Sequence, residues 1–390
     1  MFPEFSWSRP CQISALARWR RGCAHSFCRR ERRSITRHSS RHTSSRANLV
    51  GHDSHGVIRV AQCLDAIENE HLLPAAECAV TVDHVSSTVL DGQRGFGQVA
   101  GQRAMHLAVE KAARSGVAAV AARNCYHSGR LGSYAAWAAK RGFVALVMVN
   151  AGGGGQTVAP FGGLARRLAT NPIAIAAPSN GDFPVVLDIA TSVAPEGKVR
   201  SCHQRGEPVP SGWIVDDEGR PTTNTDDFYS AGGALLPLGG SAGHKGFGLA
   251  LLIDILAGAL SGAGCCREEV VDARDGMLVI AIDIARYTSP QAFGEHVRRL
   301  IGYVKSSPTV PGVEEVLVPG ELEHRCQMIR SRHGIQVDEA TWLALEAASR
   351  ARGVAAPKPS KSILAGPHVA ADRSAAEGAA VDPMTAGVVT

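Results

Sequence analysis

The feature that most constrains the fold of this chain is an alternation of short apolar segments with helical ones from residue 85 onwards. Apolar runs of five to eight residues predict buried strands, at residues 85–90, 117–122, 144–149, 173–177, 183–189 and 277–284. Helical patterns precede, separate or follow them, at residues 57–70, 100–113, 134–140, 246–260, 290–305 and 338–350. This alternation predicts an α/β layered fold.

Length and apolar content set the size of the core. With 390 residues, of which 45% are hydrophobic, the chain can bury a large core and form two structural lobes. Since no run of about 18 apolar residues is uninterrupted, we expect no membrane span. The apolar segment at residues 247–260 contains Gly248, Asp254 and Gly258, and it predicts a buried helix.

Charge is distributed unevenly along the chain. Residues 1–46 contain eleven arginines against Glu4 and Glu31, a net charge of +9, so the remaining residues carry −4 of the overall +5. A mildly acidic folded part argues against a nucleic-acid partner. The ten cysteines include three within the first 46 residues and no Cys-x-x-Cys pair, which predicts reduced thiols and a cytoplasmic protein.

Both ends of the chain lack a folding pattern. Residues 1–46 are rich in arginine and serine without an apolar period, so we expect them to lie outside the fold. A misassigned translation start, a targeting segment and a basic arm all fit this composition. Residues 354–390 are rich in alanine, proline, serine and glycine, which predicts a disordered tail.

The first cluster of reactive side chains lies at residues 51–59, where two histidines, an aspartate, a serine and an arginine surround two glycines. We predict that His55 acts in an active site, because both proton forms of an imidazole are accessible near neutral pH. Arg59 can hold an anionic substrate with its fork of donors. Alternatively, His52 and His55 are two metal ligands, although no third ligand is evident.

The second cluster, at residues 124–134, follows a predicted strand and precedes a predicted helix. In open α/β sheets such loops bind ligands. Gly129 and Gly132 allow close approach of the backbone to a ligand, and Arg130 can bind a phosphate or carboxylate. His127 is therefore a second candidate, with a helix-capping role as its structural alternative.

The dinucleotide fingerprint Gly-x-Gly-x-x-Gly is absent, which argues against a Rossmann domain.

Three further motifs have open interpretations. Asp188 ends a predicted strand, where it either binds ribose hydroxyls or caps the next helix. Lys245 lies at the start of a predicted helix, where free N–H groups attract anions. Residues 239–243 match the Gly-x-Ser-x-Gly motif of hydrolases, but Pro237 occupies the place of the required strand.

Together these segments resemble the malate/L-lactate dehydrogenase family, whose members are NAD(P)-dependent 2-hydroxyacid oxidoreductases without a Rossmann fold. The matching pieces occur in the family's order, at residues 51–56, 90–98, 127–132, 159–161, 170–172, 187–192, 197–198, 221–224, 244–246 and 319–321. Each piece is unspecific alone, whereas the ordered set is highly specific.

The resemblance implies a fold and a function. It implies a non-Rossmann dinucleotide-binding domain with a mixed sheet at residues 83–269, inserted into a second α/β lobe formed by residues 47–82 and 270–353. It also implies a homodimer that interconverts a 2-hydroxy acid and a 2-oxo acid by hydride transfer with NAD or NADP. Malate, lactate, sulfolactate and aromatic hydroxy acids are all substrates within this family. If the unusual N-terminus disrupts the site, the alternative is a non-catalytic dinucleotide-binding protein.

The resemblance also implies roles for particular residues. His55 becomes the proton donor or acceptor, and His127 a second acid/base or a residue that faces the cofactor. Ser54 and Arg59 bind the substrate. The implied cofactor contacts are Gly129, Arg130, Leu131, Val186, Leu187, Asp188, Ile189, Ala190, His244, Lys245, Pro319, Gly320, Glu321 and Leu322.

Overall fold

The computed structural model describes residues 10–11, 45–270 and 272–355. The predictions for the tail at 354–390 and for most of residues 1–46 lie outside these ranges. The fold nevertheless extends upstream of the expected start at residue 47. Pro10–Cys11 pairs with Ile335–Gln336 through the backbone, and residues 45–49 form a helical turn. Because backbone pairing needs no apolar side-chain period, the composition of this segment gives no indication of it.

Twelve strands are present among the described residues. They are β1 (Pro10–Cys11), β2 (Ala79–Asp83), β3 (Ser87–Asp91), β4 (Val117–Cys125), β5 (Phe143–Asn150), β6 (Ile173–Ala177), β7 (Val185–Ile189), β8 (Ile214–Val215), β9 (Pro221–Thr222), β10 (Ala234–Leu235), β11 (Asp275–Asp283) and β12 (Ile335–Gln336). The α-helices are α1 (Arg59–Glu68), α2 (Gly97–Ser115), α3 (Gly132–Ala139), α4 (Glu196–Arg205), α5 (Thr225–Tyr229), α6 (Gly243–Ile253), α7 (Pro290–Lys305), α8 (Glu321–His333) and α9 (Glu339–Ala351).

Seven strands form one sheet in the order β2-β3-β4-β11-β5-β6-β7. The β3–β4 pair is parallel and the other neighbours in this sheet are antiparallel. The predicted α/β fold with a mixed sheet is therefore confirmed. A small sheet of three two-residue strands, β10-β8-β9, lies apart from it in the topology.

Strand β11 occupies the centre of the large sheet, between β4 and β5. It follows the predicted domain boundary at residues 269 and 270, so the sheet draws on residues from both sides of that boundary. Both neighbours pair with β11 over nearly its whole length. Residues Asp275 to Ile282 of β11 pair with β4, and residues Gly276 to Asp283 of β11 pair with β5. The division into two lobes stays a prediction.

A stripe of alanines lets α2 lie close to the sheet. Ala100, Ala104, Ala108 and Ala112 recur every four residues, and all are completely buried. This spacing places them on one face of the helix. Their small side chains bring the backbone of α2 close to β4 and β11, which fixes where the helix begins relative to the loop after β4.

Helices α1, α3, α6, α7 and α9 lie where the sequence predicted helices, whereas α4, α5 and α8 were not predicted. Asp338 caps α9 as predicted, since its carboxylate accepts from the backbone N–H of Thr341 at 2.8 Å. Helix α6 continues into a π-helical turn at Asp254–Ala259. Within the described residues, the combined stretch Gly240–Ala259 is the single helix long and apolar enough to cross a membrane by length and composition, a test that core helices also pass.

Candidate functional site

The loop at residues 51–58 is shaped by Asn48. The Asn48 side chain donates to Asp53 Oδ1 at 2.6 Å and accepts from the backbone N–H of Val57 at 2.8 Å. A Cβ on Gly56 would lie 2.2 Å from the Asn48 amide, so only glycine fits there. The Asp53 carboxylate also accepts hydrogen bonds from both terminal nitrogens of Arg330, at 2.7 and 3.0 Å. The Asp53 carboxylate thus ties the loop to helix α8.

The two histidines of this loop have different partners. His52 Nε2 lies 3.1 Å from Glu323 Oε1 on helix α8. His55 instead lies beside Ser54 and His127. Each imidazole thus has a hydrogen-bond partner of its own. Within the part of the chain that the structure describes, no group of three or more histidine, cysteine or acidic side chains could hold a metal ion.

The centre of the candidate site is a stacked pair of imidazoles. The rings of His55 and His127 have their centroids 5.6 Å apart and are inclined by 25°. Ser54 Oγ lies 3.0 Å from His55 Nδ1. The backbone N–H of Gly129 donates to His127 Nδ1 at 3.3 Å, so the neutral form of His127 carries its proton on Nε2. The structure thus brings together the two histidines that the sequence predicted as catalytic, although they are 72 positions apart in the chain.

Both imidazoles are strongly biased towards the neutral form. Burial, followed by the nearby His127 and Arg59 side chains, holds the pKa of His55 well below its usual range. Burial and Arg59 lower the pKa of His127 to about 3. Protein encloses both rings, yet each keeps part of its surface accessible. At neutral pH the site therefore presents two uncharged imidazoles, each in a partly accessible residue.

Arg59 extends from the start of helix α1 towards the same loop. Its Nε donates to the carbonyl of Ser54 at 2.7 Å, and its Nη1 donates to Gln62 Oε1 at 2.7 Å. A Cβ on Gly197 would lie 3.7 Å from both Arg59 Nη2 and Ser54 Cβ. The first turn of helix α4 therefore lies beside Arg59, which stays partly exposed. Burial and the positive charge of Arg200 lower the pKa of Arg59, and Glu196 opposes this shift.

Asp188 and Arg130 meet at the start of helix α3. Asp188 Oδ2 accepts from the backbone N–H of Gly132 at 2.7 Å and lies 3.5 Å from Arg130 Nε. Arg130 is only 5% exposed. The carboxylate of Asp188 therefore caps a helix, but that helix precedes it in the chain rather than following it. Leu131 is 2% exposed and belongs to the core, so its side chain is not presented to a ligand.

The two remaining cofactor segments that the resemblance implies are neighbours. The N–H of Val186 donates to the carbonyl of Pro319 at 3.1 Å. Gly320 has a φ of +92°, and a Cβ there would lie 2.9 Å from the carbonyl oxygen of Pro184, so the close approach requires glycine. Glu321 is nearly buried and its oxygens accept from Lys305 at 2.7 and 2.8 Å. Its carboxylate is therefore engaged within the protein.

His244 and Lys245 lie in the first turn of helix α6 and are exposed. His244 packs edge-on against Phe161, with centroids 5.7 Å apart. No described contact joins these two residues to the histidine pair. The Gly-x-Ser-x-Gly match forms a short 3-10 turn at Gly240–Ala242 that leads into α6, as the small-residue loop interpretation expects.

A half-buried carboxylate that contacts the residue after His127 was not identified from the sequence. Asp275 Oδ2 accepts from the backbone N–H of Ser128 at 2.9 Å and from its hydroxyl at 2.8 Å. The hydroxyl of Tyr134 donates to the carbonyl of Ser128 at 2.6 Å. Burial raises the pKa of Asp275 to about 6, while the two bonds from Ser128 oppose the shift. The only sequence signal was an aspartate just before a predicted strand, 147 residues from Ser128.

Comparison with known proteins gives consistent matches. A family model described as malate/L-lactate dehydrogenase matches residues 36–346. A malate dehydrogenase of Pyrococcus abyssi is 37% identical over 317 residues, which cover 79% of this chain and 86% of that protein. Hydroxycarboxylate dehydrogenase B of Escherichia coli K12 is 36% identical over 315 residues, covering 79% and 85% of the two chains. The solved structure of a malate dehydrogenase from Pyrococcus horikoshii superposes with a TM-score of 0.78 at 31% identity, over 91% of this chain and all of that one.

Proposed function

This chain belongs to the malate/L-lactate dehydrogenase family, and we propose that it interconverts a 2-hydroxy acid and a 2-oxo acid by hydride transfer with NAD or NADP. The names of its relatives support a 2-hydroxyacid dehydrogenase. These relatives include an L-sulfolactate dehydrogenase of Methanothermobacter thermautotrophicus at 35% identity. The observation that carries the mechanism is the stacked pair of neutral imidazoles beside Arg59.

In this proposal Arg59 binds the substrate carboxylate. Its Nε and Nη1 are engaged by protein oxygens, and its Nη2 points to the first turn of helix α4. The Ser54 carbonyl that accepts from Arg59 belongs to the residue next to His55. Binding of the carboxylate by Arg59 therefore places the carbon that carries the hydroxyl close to the imidazole pair.

The two histidines divide the proton chemistry. With Nδ1–H of His55 donating to Ser54 Oγ, the Nε2 of His55 is free to accept the hydroxyl proton during oxidation. His127, whose Nδ1 accepts from Gly129, can donate a hydrogen bond from Nε2 to the same substrate oxygen. In the reductive direction the protonated His55 returns its proton to the developing alkoxide.

The nicotinamide ring supplies the hydride acceptor or donor when the cofactor is bound. The donor chemistry of the residues fits a dinucleotide, because Lys245 and His244 stand exposed in the first turn of α6, where backbone N–H groups attract phosphate. The segments of Val186 and Gly320, joined by the bond from Val186 to Pro319, are the second set of cofactor contacts that the family resemblance implies. Since the large sheet has one parallel pair, β3–β4, we propose that the cofactor binds without a Rossmann fold.

The test is a panel of 2-oxo acids assayed with NADH and with NADPH, on the wild type and on histidine variants. We expect His55→Ala and His127→Ala to lower kcat by about 10² to 10⁴, the usual range for a positioned acid or base. Cofactor binding, followed by NAD(P)H fluorescence, should persist in both variants. His84→Ala is the matched control, because this histidine is exposed and its described hydrogen bonds use only its backbone atoms. Full activity of His55→Ala would show that its catalytic role is wrong.

A non-catalytic dinucleotide-binding protein is not favoured. The family match begins at residue 36, and the described residues 45–50 lead as a helical turn directly into the loop of His55. Asn48 from this turn shapes that loop through its two side-chain hydrogen bonds. The region upstream of His55 therefore supports the site.

We also propose a homodimer. Helix α6 and the turn that follows it expose a row of large apolar side chains in the single chain: Leu249, Leu252, Ile255, Leu256 and Leu260 are 36–61% exposed. Monomeric proteins rarely leave so many neighbouring apolar side chains in water. A second copy of the chain is the partner that the family resemblance implies.

A further inference from the structure

We propose that Asp275 is a positioning residue that fixes His127 through Ser128, an inference that rests on the proposed catalytic role of His127. Asp275 is the first residue of β11, and its carboxylate reaches the loop between β4 and α3. Ser128 directly follows His127, so the orientation of its backbone determines where the imidazole lies.

Every polar atom of Ser128 has a bonding partner in this arrangement. Its N–H and its hydroxyl both donate to one oxygen, Oδ2 of Asp275, at 2.9 and 2.8 Å. Its carbonyl accepts from the Tyr134 hydroxyl at 2.6 Å. Ser128 is only 2% exposed, so water does not compete for these bonds. Bonds to an ionised carboxylate are about twice as strong as those between neutral groups.

The start of helix α2 also contacts this loop. A Cβ on Gly97, the first residue of α2, would lie 2.0 Å from the carbonyl oxygen of Tyr126 and 2.8 Å from Cα of Ser128. The N–H of Tyr126 donates to the carbonyl of Gly95 at 2.9 Å. The loop is thus confined between the start of α2 and the carboxylate of Asp275.

The site needs this confinement because its own bonds do not hold the imidazole tightly. The described hydrogen bond to the ring of His127 comes from Gly129 at 3.3 Å, which is long. A misplacement of about 1 Å at a reacting group can cost about 10²-fold in rate. The carboxylate of Asp275 supplies the rigidity one residue away from the ring.

The experiment compares Asp275→Ala with Asp275→Asn. We expect Asp275→Ala to lower kcat by about 10²-fold, with little change in the KM of the cofactor, and to increase amide hydrogen exchange in a peptide covering residues 126–131. Asp275→Asn should recover most of kcat and the slow exchange, since its amide oxygen can accept both bonds from Ser128. Tyr134→Phe, which removes the bond to the Ser128 carbonyl and keeps the ring, should show a smaller loss of kcat and a smaller rise in exchange.

The outcomes separate this inference from the proposed function. Wild-type kcat and wild-type exchange in Asp275→Ala would overturn the positioning role. So would an Asp275→Asn variant as slow as Asp275→Ala with unchanged loop exchange, because the carboxylate would then act in the chemistry itself. If the wild type reduces no 2-oxo acid while loop exchange still rises in Asp275→Ala and is restored in Asp275→Asn, the proposed function fails and the fixing of the loop stands.

Discussion

At the scale of single residues, the charge state of His127, for which we propose an acid/base role, also affects the stability of the fold. Its pKa in the folded protein is about 3, against an ordinary value near 6.5, because it is buried near Arg59. The folded state therefore binds fewer protons than the unfolded state between these two values. The stability that results is present above pH 6.5 and is lost as the pH falls towards 3.

We predict that His127→Gln removes this part of the acid sensitivity. In urea denaturation at about pH 7.5 and about pH 5, the wild type should lose more free energy of unfolding than the variant. The carboxylates titrate in both proteins, so the difference between them reports the histidine pair, since His127 also lowers the pKa of His55. Equal losses in the two proteins would show that the imidazole is not held neutral by the fold.

Asp188 gives a second prediction, which decides between the two interpretations of this residue. Its carboxylate caps α3 through the N–H of Gly132 and lies beside the buried Arg130. Asp188→Ala should therefore lower the free energy of unfolding by about 1–3 kcal/mol, the cost of leaving a buried partner without its bond. Asp188→Asn should lose less, since its oxygen still accepts from Gly132. A drop in cofactor affinity at unchanged stability would instead favour ribose binding.

At the scale of elements, two glycines in helices make a matched test of close packing. Gly97 begins α2 against the loop of His127, whereas Gly302 lies exposed in α7 with nothing within 4 Å of an added Cβ. Gly97→Ala should destabilise the protein by about 1–3 kcal/mol and lower kcat, because the loop must move. Gly302→Ala should stabilise it by about 0.5–1 kcal/mol through helix propensity. Thermal unfolding and steady-state rates measure both effects.

The elements that the sequence predicted are those with an apolar face. Two of the missed ones lack such a face: β2 is mostly exposed, and α8 buries little beyond Glu321 and Cys326. The missed strands β8 and β10 are buried, but two residues are too few to show a period. Helix α8 is held by polar contacts instead, from Arg330 to Asp53 and from Glu323 to His52. Because these partners lie some 270 positions away in the chain, local periodicity contains no trace of them.

The residues of the candidate site also fall into predicted ones and a missed one. The residues at 54, 55, 59 and 127 were predicted from their chemistry and from motif order, and the structure places them together. Asp275 was missed because an aspartate before a strand has no distinctive pattern. Its contact with Ser128 depends on β11 lying next to β4, and sequence order alone does not predict that pairing.

At the scale of the whole molecule, we predict that the apolar row on α6 and its following turn mediates dimer formation. Leu252→Glu combined with Ile255→Glu should shift the protein to a monomer in sedimentation velocity, because two carboxylates per chain would have to be buried in the interface. Leu343→Glu is the control, since Leu343 is 56% exposed on a different helix. A wild-type monomer, or a double variant that remains dimeric, would contradict the assigned surface.

The central position of β11 in the sheet has a consequence for the nascent chain during its synthesis. Until residue 283 has left the ribosome, β4 and β5 have no strand between them, and both present unpaired edges of the kind that template aggregation. The strand that closes this gap begins with the carboxylate that holds the loop of His127. A chain that ends before β11 therefore exposes two unpaired strand edges and lacks the Asp275 carboxylate at the loop of His127. Insertion of β11 therefore covers these two edges and at the same time brings Asp275 to the loop of His127.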